Sequence, residues 1–168
     1  MNFARVHGAK EISFKMQKPY IRLCCMKNLQ TEIIINVSAE KVWGILTDFT
    51  KYSEWNPFIL SIEGKPETGA QLKVVLKNGK GTSVFTPKVL VVEKNKTFEW
   101  LGSLPIPGLF NGQHKFYIEK ISESQVKFIH SEQFSGLLAG LLMKMIGEQT
   151  KQGFIAMNEA LKKRAEGF

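Results

Sequence analysis

Three side chains have the types and spacing for acid–base or ligand-orienting chemistry: His114, His130 and Glu132. His130 and Glu132 lie two positions apart, in step with Phe128 and Phe134. In a strand, residues of one parity share a face. In the preceding segment His114 keeps step with Phe110, Gly112, Phe116 and Ile118. The phenylalanines mark both faces as inward, so the two histidines and the glutamate are expected to look into one space. A buried histidine or glutamate must be paired or have its pKa shifted. Such a set has four uses. It can be a structural His–Glu hydrogen-bond pair, or it can hold the polar end of an otherwise apolar ligand. It can also perform general acid–base chemistry, or bind a metal through two histidines and a carboxylate. The first two readings are preferred, and neither a metal nor a cofactor is expected.

The elements that must position these groups are mostly strands. Thr31–Val37 alternates and is rich in β-branched residues, which fits a strand. Ser38 then offers a helix N-cap, without the acid or amide three residues on that would complete a capping box. Val42, Trp43, Ile45, Leu46 and Phe49 recur at helical spacing. A second short helix is expected over Tyr52–Glu54, capped by Asp48 and stopped by Pro57. Strands follow at Phe58–Glu63 and Gln71–Lys77. Asn78-Gly79-Lys80-Gly81 has hairpin chemistry, and Thr82–Val92 reads as one strand with an edge or bulge at Pro87. Thr97–Gly102, Phe110–Ile121 and Gln125–Ser135 complete the set. From Leu137 to Arg164 apolar residues return at helical spacing, with an expected inner stripe of Leu138, Leu141, Leu142, Met145, Ile146, Phe154, Met157 and Leu161. Gly140, Gly147 and Gly153 on this helix suggest close approach or an adaptable fit, since glycine costs about 1 kcal/mol against alanine in a helix.

The stretch Ile34-Ile35-Asn36-Val37-Ser38-Ala39-Glu40-Lys41-Val42-Trp43, with Thr47-Asp48-Phe49, Tyr52 and Trp55-Asn56-Pro57-Phe58, resembles the START-like helix-grip superfamily. The resemblance is to its bacterial polyketide cyclase/dehydrase and lipid-transport-like (SRPBCC) branch, from about Gln30 to Arg164. It implies an α+β helix-grip fold: a curved antiparallel sheet of about seven strands around a long C-terminal helix, with two short helices after the first strand. It also implies an internal apolar cavity. Members include ligand carriers, cyclases, oxygenase subunits and chaperone regulators, so the resemblance specifies fold more than function.

Composition narrows the remaining classes. The chain of 168 residues is 43% hydrophobic, enough for one domain with a sizeable core. The net charge of +8 would suggest nucleic acid, but it is unevenly placed. Residues 1–30 hold six of the 23 basic residues and one of the 15 acidic ones, leaving 17 against 14 in the rest. Lysines such as Lys73 and Lys77 read as a solvated face, and no nucleic-acid partner is expected. Residues 1–29 are expected to be an extension and 30–168 the domain. No stretch approaches the roughly 18 apolar residues of a membrane span, so no integral membrane association is expected. Cys24 and Cys25 are adjacent and are the only cysteines. They make no disulfide framework or zinc site, and a cytoplasmic setting is the expectation.

Several absences weigh against an enzyme. Arg164 is the only arginine after residue 30 and Asp48 is the only aspartate. The resemblance implies that cyclases of this type use a pocket arginine or tyrosine, and no such arginine is available. Tyr117 has the parity opposite to His114, which points it outward. No glycine-rich phosphate loop joins a strand to a helix. The expected function is binding of a hydrophobic small molecule, lipid-, polyketide- or aromatic-like, between sheet and helix. Its expected contacts are Trp100, His114, Phe116, Phe128, His130, Glu132, Phe134, Leu142, Met145 and Phe154, with Leu104–Phe110 as a lid. The alternatives are a cyclase/dehydratase using His130, Glu132 and His114 as acid and base, and a protein-interaction domain of chaperone-regulator type.

Overall fold

Alternating apolar and polar residues build eight antiparallel strands in the computed structural model, which describes residues 26–79 and 81–167. The order begins with β1 (Lys27–Ile35), α1 (Ala39–Thr47), a 3-10 turn (Phe49–Lys51) and α2 (Tyr52–Trp55). Strands β2 (Ile59–Glu63), β3 (Lys73–Asn78), β4 (Gly81–Phe85) and β5 (Lys88–Glu93) follow. Then come β6 (Thr97–Ser103), β7 (Asn111–Ser122), β8 (Gln125–Ser135) and α3 (Ala139–Glu166). Residues 1–25, with most of the expected extension and both cysteines, lie outside the described residues, whereas Lys27–Leu29 open β1. This is the expected helix-grip arrangement, with two short helices after the first strand and a long helix laid against the sheet.

Five strands pair in the order β1-β8-β7-β6-β5 and three in the order β2-β3-β4. The expected single strand over Thr82–Val92 is divided into β4 and β5, which pair with different neighbours. Pro87 is the physical cause, because it has no N–H to give a ladder. Its carbonyl still accepts from Leu72 N–H at 2.9 Å, and Val89 N–H donates to Ala70 carbonyl at 2.8 Å. These bonds, with the Gln71–Lys88 bridge, fold the three-stranded sheet over the end of the larger one. The gap beneath that fold becomes the cavity.

Helix α1 opens on Ser38, whose hydroxyl accepts from Lys41 N–H at 3.4 Å. Asp48 does not cap the next turn; it accepts from Thr50 Oγ1. Trp43, Leu46, Phe49 and Tyr52 are buried as the plug of one end. The Tyr52 hydroxyl donates to Leu46 carbonyl at 2.8 Å, and burial pushes its phenol pKa strongly upward.

Helix α3 buries Ala139, Gly147, Phe154, Met157, Asn158, Leu161 and Ala165. It ends on Gly167 in the left-handed region (φ 84°), whose N–H donates to Lys163 carbonyl, as expected for a glycine cap. Leu141 and Met145 depart from the expected inner stripe: they are 59% and 71% exposed. Each lies two residues before or after a helix position that faces the sheet, and two residues turn an α-helix by about 200°. At Gly153 the helix comes so close to Phe58 that an added Cβ would meet the ring Cδ2 at 2.3 Å.

Candidate functional site

A cavity of about 320 Å³ lies between the first half of α3, the inner ends of β6–β8 and the three-stranded sheet. Phe58, Val74, Leu76 and Phe85 line it from the small-sheet side. Trp100, Phe110 and Phe134 line it from the large sheet, and Leu142 and Ile146 from α3. Lys77, Asn78, Gln149 and Thr150 also border it. Two ionisable groups belong to the large-sheet wall, Glu132 and His114.

Strand register explains how these two meet. His114 on β7 is paired directly with Glu132 on β8, and His130 with Phe116. All four residues therefore share the inner face. His114 Nδ1 lies 3.6 Å from Glu132 Oε2, with the side chains only 6% and 18% exposed. On its other side His114 Nε2 is 2.8 Å from His130 Nε2. His130 Nδ1 is 3.1 Å from Asn158 Oδ1 on α3. Asn158 Nδ2 in turn donates to Thr31 Oγ1 on β1 at 3.0 Å. A continuous polar line thus runs from the cavity wall through the core to the opposite edge strand.

Aromatic faces hold both imidazoles. His114 stacks on Trp100 with a centroid separation of 4.6 Å and an interplanar angle of 5°. His130 stacks on Phe154 at 3.6 Å and 11°. His130 is fully buried. Desolvation first, and then the neighbouring His114, hold its pKa well below the ordinary 6.5, with Asn158 acting in the opposite sense. His130 is neutral at neutral pH and uses both ring nitrogens inside the protein. Of the three candidate groups, only His114 and Glu132 border the cavity.

Gly112 makes the space for that carboxylate. A Cβ at this position would lie 2.5 Å from Glu132 Oε1. The side chain of Glu132 therefore leans across the strand pair over Gly112, with Phe134 beside it at 3.7 Å from the same point.

Of the residues singled out in the sequence, Trp100, His114, Glu132, Phe134 and Leu142 border the cavity. Phe116, Phe128, His130 and Phe154 stand behind them, buried in the core. Met145 is on the outer side of α3 and does not reach the cavity. The expected lid contributes Leu104 and Phe110 to the wall, while Ile106 is 63% exposed. This loop is tied to the start of α3 by Leu137 N–H to Gly108 carbonyl and Leu138 N–H to Leu109 carbonyl. Sequence reasoning placed Gly112 on the inward face but missed its role, and it missed Asn158 and the wall supplied by β3 and β4. The signal for Asn158 was a lone amide between Phe154, Met157 and Leu161 on one helical face. Among the described residues no cluster of three His, Cys, Asp or Glu has a metal-holding arrangement.

The comparisons with known proteins agree with this fold. The fold resembles Zhui aromatase/cyclase from Streptomyces sp. R1128, with a TM-score of 0.69 and 15% identity over 84% of this chain and 94% of that one. It also resembles norcoclaurine synthase from Thalictrum flavum, with a TM-score of 0.66 and 13% identity over 86% and 96%. A START superfamily protein from Mycobacterium smegmatis gives a TM-score of 0.64 and 20% identity over 83% and 97%. No curated protein matches the sequence. Residues 26–166 match the family described as polyketide cyclase / dehydrase and lipid transport. That match takes in every described element from β1 to α3, and the chain belongs to this family.

Proposed function

We propose that the protein binds a hydrophobic small molecule in the cavity beneath α3, with the His114–Glu132 pair meeting its polar group. The observation that carries this reading is an apolar-walled cavity of about 320 Å³ with one ionisable pair set in its inner wall. Small-molecule sites generally occupy about 300–1,000 Å³ and combine apolar walls with a few placed polar groups. Family membership supports the same reading. Affinity comes from apolar burial at roughly 25 cal/mol per Å², reduced by the cost of association. The polar pair sets orientation.

A second reading is acid–base catalysis on the bound molecule, as in a cyclase or dehydratase. It is favoured by one geometric fact: a carboxylate and an imidazole nitrogen stand 3.6 Å apart beside the cavity. Loss of turnover, with binding retained, in both Glu132→Gln and His114→Gln would support catalysis. Full activity in both would remove it.

Binding is tested with 8-anilinonaphthalene-1-sulfonate as a fluorescent probe. The blocking variant is Gly102→Phe. Gly102 borders the cavity, and a Cβ there would meet nothing nearer than Gly112 carbonyl at 3.8 Å. The larger ring therefore extends into the open space. Saturable binding by the unaltered protein, weakened at least about tenfold in Gly102→Phe, is expected. Equal binding by both folded proteins would place the probe elsewhere and overturn the reading.

A further inference from the structure

The buried line behind the cavity wall dictates where protons sit. Asn158 turns its Oδ1 toward His130 Nδ1 and its Nδ2 toward Thr31 Oγ1. An amide oxygen only accepts, so His130 Nδ1 must carry hydrogen. Neutral imidazole has one N–H, and the desolvated His130 is neutral, so its Nε2 is bare. His114 Nε2, 2.8 Å away, must then be the donor. The remaining nitrogen, His114 Nδ1, faces Glu132 Oε2 at 3.6 Å. His114 Nδ1 is then bare, and it and Glu132 Oε2 stand side by side as acceptors at the cavity wall. A ligand O–H or N–H placed between them would satisfy both.

We propose that Asn158 is a positioning residue: through His130 it fixes the tautomer of His114, so that His114 Nδ1 and Glu132 together accept from a ligand hydroxyl or N–H at the cavity wall. Reversing the amide reverses every bond. Nδ2 would donate to His130 Nδ1, His130 Nε2–H to His114 Nε2, and His114 Nδ1–H to Glu132, so that the pair would be bonded to itself. The orientation of one buried amide thus decides between a wall with two acceptors free for a ligand and a wall whose two groups are bonded to each other. The other groups packed on the two rings are aromatic: Trp100, Phe116, Phe128 and Phe154. Lys77 is the remaining charged residue bordering the cavity.

Nitrogen-resolved NMR of the imidazole side chains in the ligand-free protein reads the tautomers directly. The unaltered protein is expected to show His130 protonated at Nδ1 and bare at Nε2. Asn158→Asp keeps an acceptor and the same tautomer. Asn158→Leu removes it and moves the hydrogen to Nε2. A His130 that carries Nε2–H in the unaltered protein, or an unchanged tautomer in Asn158→Leu, overturns the proposal. Should the leucine variant fail to fold, the unaltered protein and Asn158→Asp decide. A merely structural asparagine would change stability without exchanging the tautomers.

The ligand consequence alone rests on the proposed function. It is read with 2-naphthol against naphthalene. Two free acceptors should make the naphthol bind about tenfold tighter, the size of a net hydrogen bond, and Asn158→Leu should abolish that preference. Equal binding of the two probes by the unaltered protein overturns the accepting wall. If neither probe binds, the proposed function falls while the tautomer result still judges Asn158.

Discussion

His130 shows how a single residue can tie a site to a core. Its ring lies on Phe154, its nitrogens face His114 and Asn158, and no part of it reaches solvent. Such burial has a sign. The folded-state pKa is well below 6.5, so between the two values the unfolded chain binds a proton that the folded one refuses. Stability from this group is fully present above pH 6.5 and is lost as pH falls below it, by up to about 1.4 kcal/mol per pH unit. Urea midpoints measured from pH 7 to 5 should therefore fall, and His130→Gln should flatten the slope whatever it does to the midpoint at pH 7. A variant with the original slope would show that His130 is not the group responsible. Strand parity made the inward placement of His114, His130 and Glu132 legible in the sequence. The ranking among them was not legible, because parity states a direction and not a depth. His130 sits one pair further from the cavity than Glu132, and only the three-stranded sheet folding over defines which pair meets the opening. Asn158 escaped for a related reason: its partner Thr31 is 127 residues away.

At the level of the elements, two local rules compete along α3. The helical period correctly marked Phe154, Met157 and Leu161 as inward, but from Leu137 to Ile146 Lys144 is the only charged residue, so the buried face is weakly marked there. That is why Leu141 and Met145 were misplaced. The division of Thr82–Val92 was half legible: Pro87 marked an interruption, but nothing local says that the two pieces join different sheets. Glycine gives the sharpest test of the packing. Inside a helix, Gly→Ala ordinarily gains about 1 kcal/mol. At Gly153 the new Cβ would lie 2.3 Å from the ring of Phe58, which is itself buried and packed edge-on against Phe154. Overpacking of this kind costs about 1–3 kcal/mol and should win. Gly153→Ala is expected to lower the urea midpoint, whereas Gly140→Ala, with nothing within 4 Å of its added methyl, should not. Equal midpoints for the two would mean that α3 is free to lift from Phe58.

Taken as a whole, the molecule divides its interior between two purposes. One end is closed by α1 and α2 around Tyr52, Phe49 and Leu46. The other is left open between α3 and the fold of the two sheets. Phenylalanines serve both ends, and their roles differ by position alone. Phe116 is 1% exposed and touches Trp100, Phe128 and both histidines, while Leu142 is half-buried and borders empty volume. Truncating the first leaves a new void in a filled region, at a cost of about 3–5 kcal/mol. Truncating the second merely enlarges a void that already exists, so its stability cost should stay near 1 kcal/mol. Ligand binding should rank them the other way. Leu142→Ala removes part of the surface that covers a bound probe and should weaken 8-anilinonaphthalene-1-sulfonate about tenfold. Phe116→Ala should mainly unfold the protein at lower urea while the folded fraction keeps its affinity. Measuring midpoint and dissociation constant on both variants separates wall from core. If both quantities fall together in both proteins, the interior is one continuous core, and the cavity is not an independent functional part of it.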